Sequence, residues 1–243
     1  MVTKIMQIKE KSSCILCGST QNKVSFPYSI KFSESEFFYK RCSSCKCVFI
    51  NPIPSDDDFE KIYQNENYHE EHYVDVDLSE YEASVGLLSK YISNDDAKVL
   101  DYGCGYGHFL KALQNNKFQA EGLEFDESAS IKAEHYSGCK VYPVNKLINI
   151  EKNSFNVLHL GDVLEHLPNP LQTLKKLIGI LDTNGIIFIE GPLETNPSPV
   201  YWAAKLFGLI KKIFLQKENY GKPTHLIRVD ADTQKEFILK INS

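Results

Sequence analysis

From Lys98 onward the apolar positions alternate between two rhythms. KVLDYG is a short apolar run that ends on glycine, and HFLKALQNN after it has the spacing of a helix. QAEGLEF and ESASIKAEHY repeat the pair, and VYPV is a candidate for a further strand. FNVLHLGD predicts another strand and PLQTLKKLIGIL another helix, which Asn184-Gly185 is expected to end before the strand IIFIEG. Strand and helix alternating at this interval predict an α/β fold, a doubly wound and mainly parallel sheet with helices on both faces.

The pattern differs outside this region. Residues 12–54 hold five cysteines, many aromatics and the closing NPIPS, and are expected to form a small separate module. Residues 55–96 are polar, acidic and rich in tyrosine, and read as a helical linker. Tyr63, Tyr68, His69, His72 and Tyr73 there are read as packing residues of an exposed helix, with the lining of a pocket as the alternative. The main domain is expected over 97–243. Within it SPVYWAAKLFGLIKKIFLQK carries apolar residues at helical spacing and four lysines. A lid over about 193–222 is the expectation, and a helix lying on a membrane surface the alternative. ADTQKEFILKINS reads as one last helix.

Composition narrows the choice of function. With 243 residues, 42% hydrophobic and 24% charged, the chain can bury one full core plus a small appendage. A net charge of -5 argues against nucleic acid as a partner, because phosphate binding draws on clustered Lys and Arg. No apolar run reaches the ~18 residues of a transmembrane segment, and MVTKIMQIKEK is too charged for a signal-peptide core. A cytoplasmic protein is expected.

The most informative stretch is Asp101-Tyr-Gly103-Cys-Gly105-Tyr-Gly107, directly after a strand. Glycines there permit a tight turn and the close approach of a ligand. Glu124 ends the next strand, where a doubly wound fold holds a carboxylate over ribose hydroxyls. The dinucleotide fingerprint would place its third glycine at His108, and Asp101 would repel a pyrophosphate while favouring a cationic amino-acid ligand. Tyr136 and Lys140 match a reductase-like Y-x-x-x-K spacing, but the intervening glycine and the position between strands make this coincidence.

VLDYGCGYG, EGLEFD, FNVLHLGDVLEHLPNP and LDTNGIIFIEGP together resemble the successive motifs of class I S-adenosylmethionine-dependent methyltransferases, over about residues 97–192. The resemblance implies a Rossmann-like sheet with S-adenosylmethionine as cofactor. It implies that Asp101, Gly103 and Gly105 surround the methionine part, that Glu124 holds the ribose and that Phe125 lies beside the adenine. Gly161 and Asp162 would line the methyl-donor side. His166, just beyond, is the candidate general base, an imidazole able to accept the proton of a hydroxyl or amine; a packing or capping role beside Pro168 is the alternative. His225 resembles the histidine that many relatives carry where the chain returns to the sheet after the lid. Relatives usually add a final antiparallel strand pair, which is not expected within this chain's length; an open edge would allow a homodimer.

Cys14-Ile-Leu-Cys17 and Cys42-Ser-Ser-Cys45 are two knuckles suited to one structural zinc, whose four thiolates leave no open position for water. Cys47 is close enough to substitute for Cys45. Cys104 and Cys139 read as small packing residues. Such a module, followed by NPIP and the later motifs, resembles bacterial methyltransferases with an N-terminal zinc-binding domain, including sugar C-methyltransferases and enzymes of surface-polysaccharide formation. The implied reaction is methyl transfer to a small polar acceptor, a sugar or nucleotide-sugar. The rivals are a non-catalytic methyltransferase-like binding protein and an NAD(P)-dependent oxidoreductase.

Overall fold

The computed structural model describes residues 12–63, 76–93, 97–210 and 219–241. Tyr68, His69, His72 and Tyr73 lie outside these. In chain order the elements are β1 (Asn22–Phe32), β2 (Ser35–Cys42), β3 (Val48–Asn51), α1 (Asp56–Tyr63), α2 (Ser79–Leu88), β4 (Lys98–Tyr102), α3 (His108–Asn115), β5 (Gln119–Glu124), α4 (Glu127–Ser137), β6 (Lys140–Pro143), β7 (Phe155–Gly161), α5 (Pro170–Ile178), β8 (Leu181–Glu190), α6 (Pro199–Ile210), β9 (Ile227–Arg228) and α7 (Ala231–Ile241).

Two compact units result. One is contiguous, Phe59–Pro192, and the other joins Met1–Asp58 to Leu193–Ser243. The composition of the sequence predicts boundaries at 54 and 97 instead, with 193–243 in the main domain. In the structure β9 pairs antiparallel with β3, Val48 opposite Arg228 and Phe49 opposite Ile227. The chain after the expected lid therefore returns to the N-terminal sheet, of order β1-β2-β3-β9, and not to the five-stranded one. Pairing between distant strands leaves no local mark in a sequence, so composition alone could not assign this segment.

The contiguous unit carries a five-stranded, wholly parallel sheet of order β6-β5-β4-β7-β8. The chain steps outward from β4 to β6 and then crosses to β7 and β8 on the other side. Right-handed crossovers place α3 and α4 on one face and α5 on the opposite one. Strands buried on both faces read as unbroken apolar runs, and neighbours along β4 and β7 confirm it. Val99 and Val157 pack with Val85, Leu88, Phe109 and Leu113, while Leu100, Leu158 and Leu160 are buried on the reverse side.

One element boundary differs from expectation. α5 stops at Ile178 with Gly179 at its C-cap, and β8 begins at Leu181. Asn184-Gly185 ends no helix. Leu181 pairs with Phe155, the register then shifts, and pairing resumes at Val157 with Ile186. A Cβ on Gly185 would collide with the Leu181 side chain, so this glycine serves an irregularity within the strand.

Candidate functional site

The switch point of the parallel sheet lies between β4 and β7, and ligands of such sheets bind beyond the carboxyl ends of the strands there. β4 leads straight into the glycine turn. Gly103, Gly105 and Gly107 all have left-handed backbones, with φ of 79°, 53° and 82°. The Gly103 N–H donates to the Leu123 carbonyl at 2.7 Å, tying the turn to β5. A Cβ on Gly103 would also lie 2.6 Å from a methyl of Val163, so glycine is required there twice over.

Glu124 is buried at the end of β5 and fastens the turn from the other side. One carboxylate oxygen accepts from the Gly105 N–H at 2.8 Å; the other accepts from Phe125 at 2.7 Å and Asp126 at 3.0 Å. Burial pushes its carboxyl above the usual range, against the pull of these three N–H groups. Phe125 is 60% exposed and its ring meets Tyr102 edge-on at 5.6 Å, leaving a face open for stacking. The expected cofactor residues Asp101, Gly103, Gly105, Glu124 and Phe125 are thus gathered around one turn.

A residue the sequence reading missed lies behind that turn. His159, in the middle of β7, is the lateral neighbour of Asp101 on β4. Its Nδ1 is 2.7 Å from Asp101 Oδ1 and its Nε2 is 3.2 Å from Glu190 Oε2 at the end of β8. Burial alone would strip the proton, but Asp101 and Glu190 outweigh it and lift the imidazole to about 9. At neutral pH the ring is an imidazolium with both nitrogens donating. Glu190 is held below its usual range: burial works against its charge, and His159 and the Ser84 hydroxyl, which donates at 2.7 Å, overcome it. Phe109 and Phe188 pack on the ring, with centroids 3.8 Å and 5.3 Å away. A Cβ on Gly161 would come within 2.8 Å of this imidazole, so the expected cofactor position Gly161 is a glycine that makes room for it.

Beyond β7, Asp162 takes a left-handed backbone, φ 51°, and its N–H donates to the Glu190 carbonyl at 3.1 Å. Glu165 and His166 follow in the short 3₁₀ turn Leu164–His166, Glu165 buried and His166 half-buried. A Cβ on Gly191 would stand 3.4 Å from Glu165 Oε2 and 3.8 Å from Asp162 Oδ1, so these carboxylates converge where β8 ends. The Tyr81 phenol records the combined field: burial pushes it up, and Asp162, Asp101, Glu80 and Glu190 push it further. Carboxylates therefore outnumber the single buried imidazolium around the turn. Such a site suits a cationic ligand and repels a pyrophosphate.

The other unit brings the cysteine knuckles together. Gly18 closes the first, its N–H donating to the Cys14 carbonyl at 2.8 Å with φ 73°. Lys46 takes the same left-handed conformation in the second, φ 67°. The sulfurs of Cys14, Cys17, Cys42 and Cys45 all lie within 4.8 Å of one another, with Cys14 to Cys45 and Cys17 to Cys42 at 3.6 Å. A tetrahedron of Zn–S bonds has S···S edges of about 3.8 Å, so the four thiols fit that ion. Cys47 lies against one edge, 3.3 Å from both Cys14 and Cys45. Cys104 and Cys139 are buried in the sheet unit among Leu110, Ala133 and Val141, as packing residues. His225 Nδ1 lies within hydrogen-bond distance of a Glu194 carboxylate oxygen, 3.0 Å, and Arg228 contacts the same carboxylate at 3.2 Å.

A family profile described as a methyltransferase domain matches residues 71–220. Among curated proteins the chain is similar to the ubiquinone biosynthesis O-methyltransferase of Idiomarina loihiensis, 25% identical over 145 residues, 54% of this chain and 58% of that protein. The protein of the same name from Bordetella avium is 26% identical over 140 residues, 53% and 58% of the two chains. The chain spans less than two thirds of the length of these relatives. Among solved structures, a SAM-dependent methyltransferase from Archaeoglobus fulgidus shares the fold, with a TM-score of 0.50 and 21% identity over 68% of each chain.

Proposed function

This chain belongs to the methyltransferase-domain family, whose profile covers more than half of it, and from that premise we propose that it moves a methyl group from S-adenosylmethionine to a small polar acceptor. The observation that carries the reading is the carboxylate-lined glycine turn at the switch point. Asp101 beside the turn and Asp162 beyond β7 favour a ligand bearing an ammonium and a sulfonium, where a dinucleotide would meet repulsion.

Gly103 and Gly105 would border the methionine part. Glu124 keeps one acceptor site, on the oxygen that takes the Gly105 N–H, and would accept there from a ribose hydroxyl, while Phe125 would flank the adenine. Gly161 and Asp162 would face the methyl donor. When bound, S-adenosylmethionine supplies an electrophilic methyl on sulfur. The protein's part is then chiefly alignment, an effect worth up to ~7–11 kcal/mol in favourable cases. His166, in the turn that follows Asp162, would take the proton of the attacking group.

The curated relatives are named for O-methylation, which favours oxygen as the acceptor atom here. The likeness of the cysteine module to those of sugar methyltransferases favours a sugar or nucleotide-sugar hydroxyl; a hydroxylated aromatic is the second choice, from the relatives' names. Zinc at the four cysteines would have a structural role, in a reducing, cytoplasmic setting that keeps these thiols free.

The test is calorimetric titration with S-adenosylhomocysteine, with a nicotinamide dinucleotide in parallel. Micromolar binding of the first alone is expected, followed by methyl incorporation into a panel of sugar and phenolic acceptors. Binding of the dinucleotide instead would overturn the reading, and cofactor binding without turnover on any acceptor would favour a non-catalytic protein.

A further inference from the structure

α6 turns its apolar side outward. Trp202, Leu206 and Phe207 are 55%, 60% and 67% exposed, and Val200, Leu209 and Ile210 are exposed with them. None of its residues is buried. At 100° per residue, Leu209, Trp202, Leu206, Ile210, Ala203, Phe207 and Val200 fall within one half of the helix circumference. The opposite side meets β1 of the same unit through Gly208, where a Cβ would come within 2.6 Å of the Phe26 ring. A water-facing surface helix would carry the reverse arrangement, with this stripe against the core.

Charge identifies the occupant. Between Glu194 and Glu218 the sequence holds four lysines, Lys205, Lys211, Lys212 and Lys217, and no acidic residue, in a chain whose net charge is -5. The last three lie outside the described residues. The Lys205 ammonium rests over the Trp202 ring at 4.9 Å and the Tyr201 ring at 5.8 Å, an aromatic and cationic pairing suited to a polar–apolar boundary. A second copy would present the same lysine-rich segment, with no acidic residue in it to meet the charge. Among the described residues no helix is long and apolar enough to cross a bilayer.

We infer that the outward face of α6 docks in the plane of an anionic lipid surface, its apolar half-circumference entering the headgroup region and Lys205 meeting lipid phosphates, in a segment whose sequence adds further lysines.

Trp202 is the only tryptophan of the chain and reports on this face directly. With vesicles of mixed phosphatidylglycerol and phosphatidylcholine its emission is expected to shift to the blue and the protein to sediment with the lipid. Pure phosphatidylcholine should bind far less, and added salt should weaken the anionic case. Leu206→Glu with Phe207→Glu keeps the reporter and changes only exposed side chains; it should weaken partitioning about tenfold or more with unaltered circular dichroism. Absence of any shift with anionic vesicles would overturn the inference. So would a lipid-independent shift that grows with protein concentration alongside a dimer mass in light scattering, which would make the occupant a second copy. Loss of turnover on a soluble acceptor in the double variant, with no vesicle binding by the unaltered protein, would instead make the segment a lid.

Discussion

His159 joins three strands by charge. It is surrounded by apolar residues in FNVLHLG, so in the sequence it passes for one more strand position. Only the parallel register, His159 beside Asp101, shows that two acidic strand ends converge on it. Glu124 and the glycines were legible because turn chemistry is local; the imidazole was not, because its partners lie on other strands. The consequence for stability has a definite sign. The imidazole is lifted from about 6.5 unfolded to about 9 folded, so its contribution is complete below pH 6.5 and is lost as pH rises through 9. Urea midpoints should therefore fall between pH 6.5 and 9, and His159→Gln should remove most of that dependence. The variant should also lose about 3 kcal/mol near neutrality, because Asp101 and Glu190 would face each other without a cation. A pH profile unchanged by the substitution would show that the ring is neutral in the fold. Glu124 makes the complementary case: Glu124→Ala leaves the Gly105, Phe125 and Asp126 N–H groups without their acceptor. About 1–3 kcal/mol of stability should be lost, with cofactor affinity weakened more than about tenfold. Unchanged affinity in calorimetry would remove Glu124 from the ribose.

Among the elements, the strand, turn and helix of β4, Gly103–Gly107 and α3 behave as one piece. Its glycines follow an apolar strand, which is why sequence alone placed it correctly. The close approach of Val163 from the segment after β7 could not be read that way. Gly103→Ala should cost about 2–4 kcal/mol, part from the left-handed backbone and part from the Val163 methyl. In the double variant with Val163→Ala the steric share should return and the backbone share should not, so thermal denaturation should show partial recovery. Full recovery or none would mean that one of the two causes is absent. The misplaced end of α5 has the same origin as the hidden Val163 contact: Asn184-Gly185 is a strong local stop signal, but pairing with β7 draws Leu181 into the sheet before it is reached. Tertiary pairing overrides a cap signal wherever a strand partner is already in place.

For the whole molecule, the contiguous unit and the discontinuous one have different sources of stability. Phe59–Pro192 encloses its own apolar core between the helices of a parallel sheet, and the alternation that builds it was plain in the sequence. The second unit needs both ends of the chain to meet, which closes the entire first unit into a loop. The entropy cost of such closure grows only slowly with loop length, yet the pair it secures, β3 with β9, is short. Four thiols arranged for one zinc could supply on the order of 10 kcal/mol there. Metal removal should accordingly act unevenly. After treatment with a chelator, amides of β1, β2, β3 and β9 should lose hydrogen-exchange protection while those of β4, β5 and β7 keep theirs; Cys14→Ser with Cys42→Ser should reproduce the pattern without chelator. Elemental analysis should find about one zinc per chain before treatment and none in the double variant. If protection fell in both units together, the parallel sheet would depend on the metal module for its folding, and the separation of the two cores would not extend to their energetics. If it fell in neither, the cysteines would hold that sheet by packing alone, and the tetrahedral fit of their sulfurs would carry no metal.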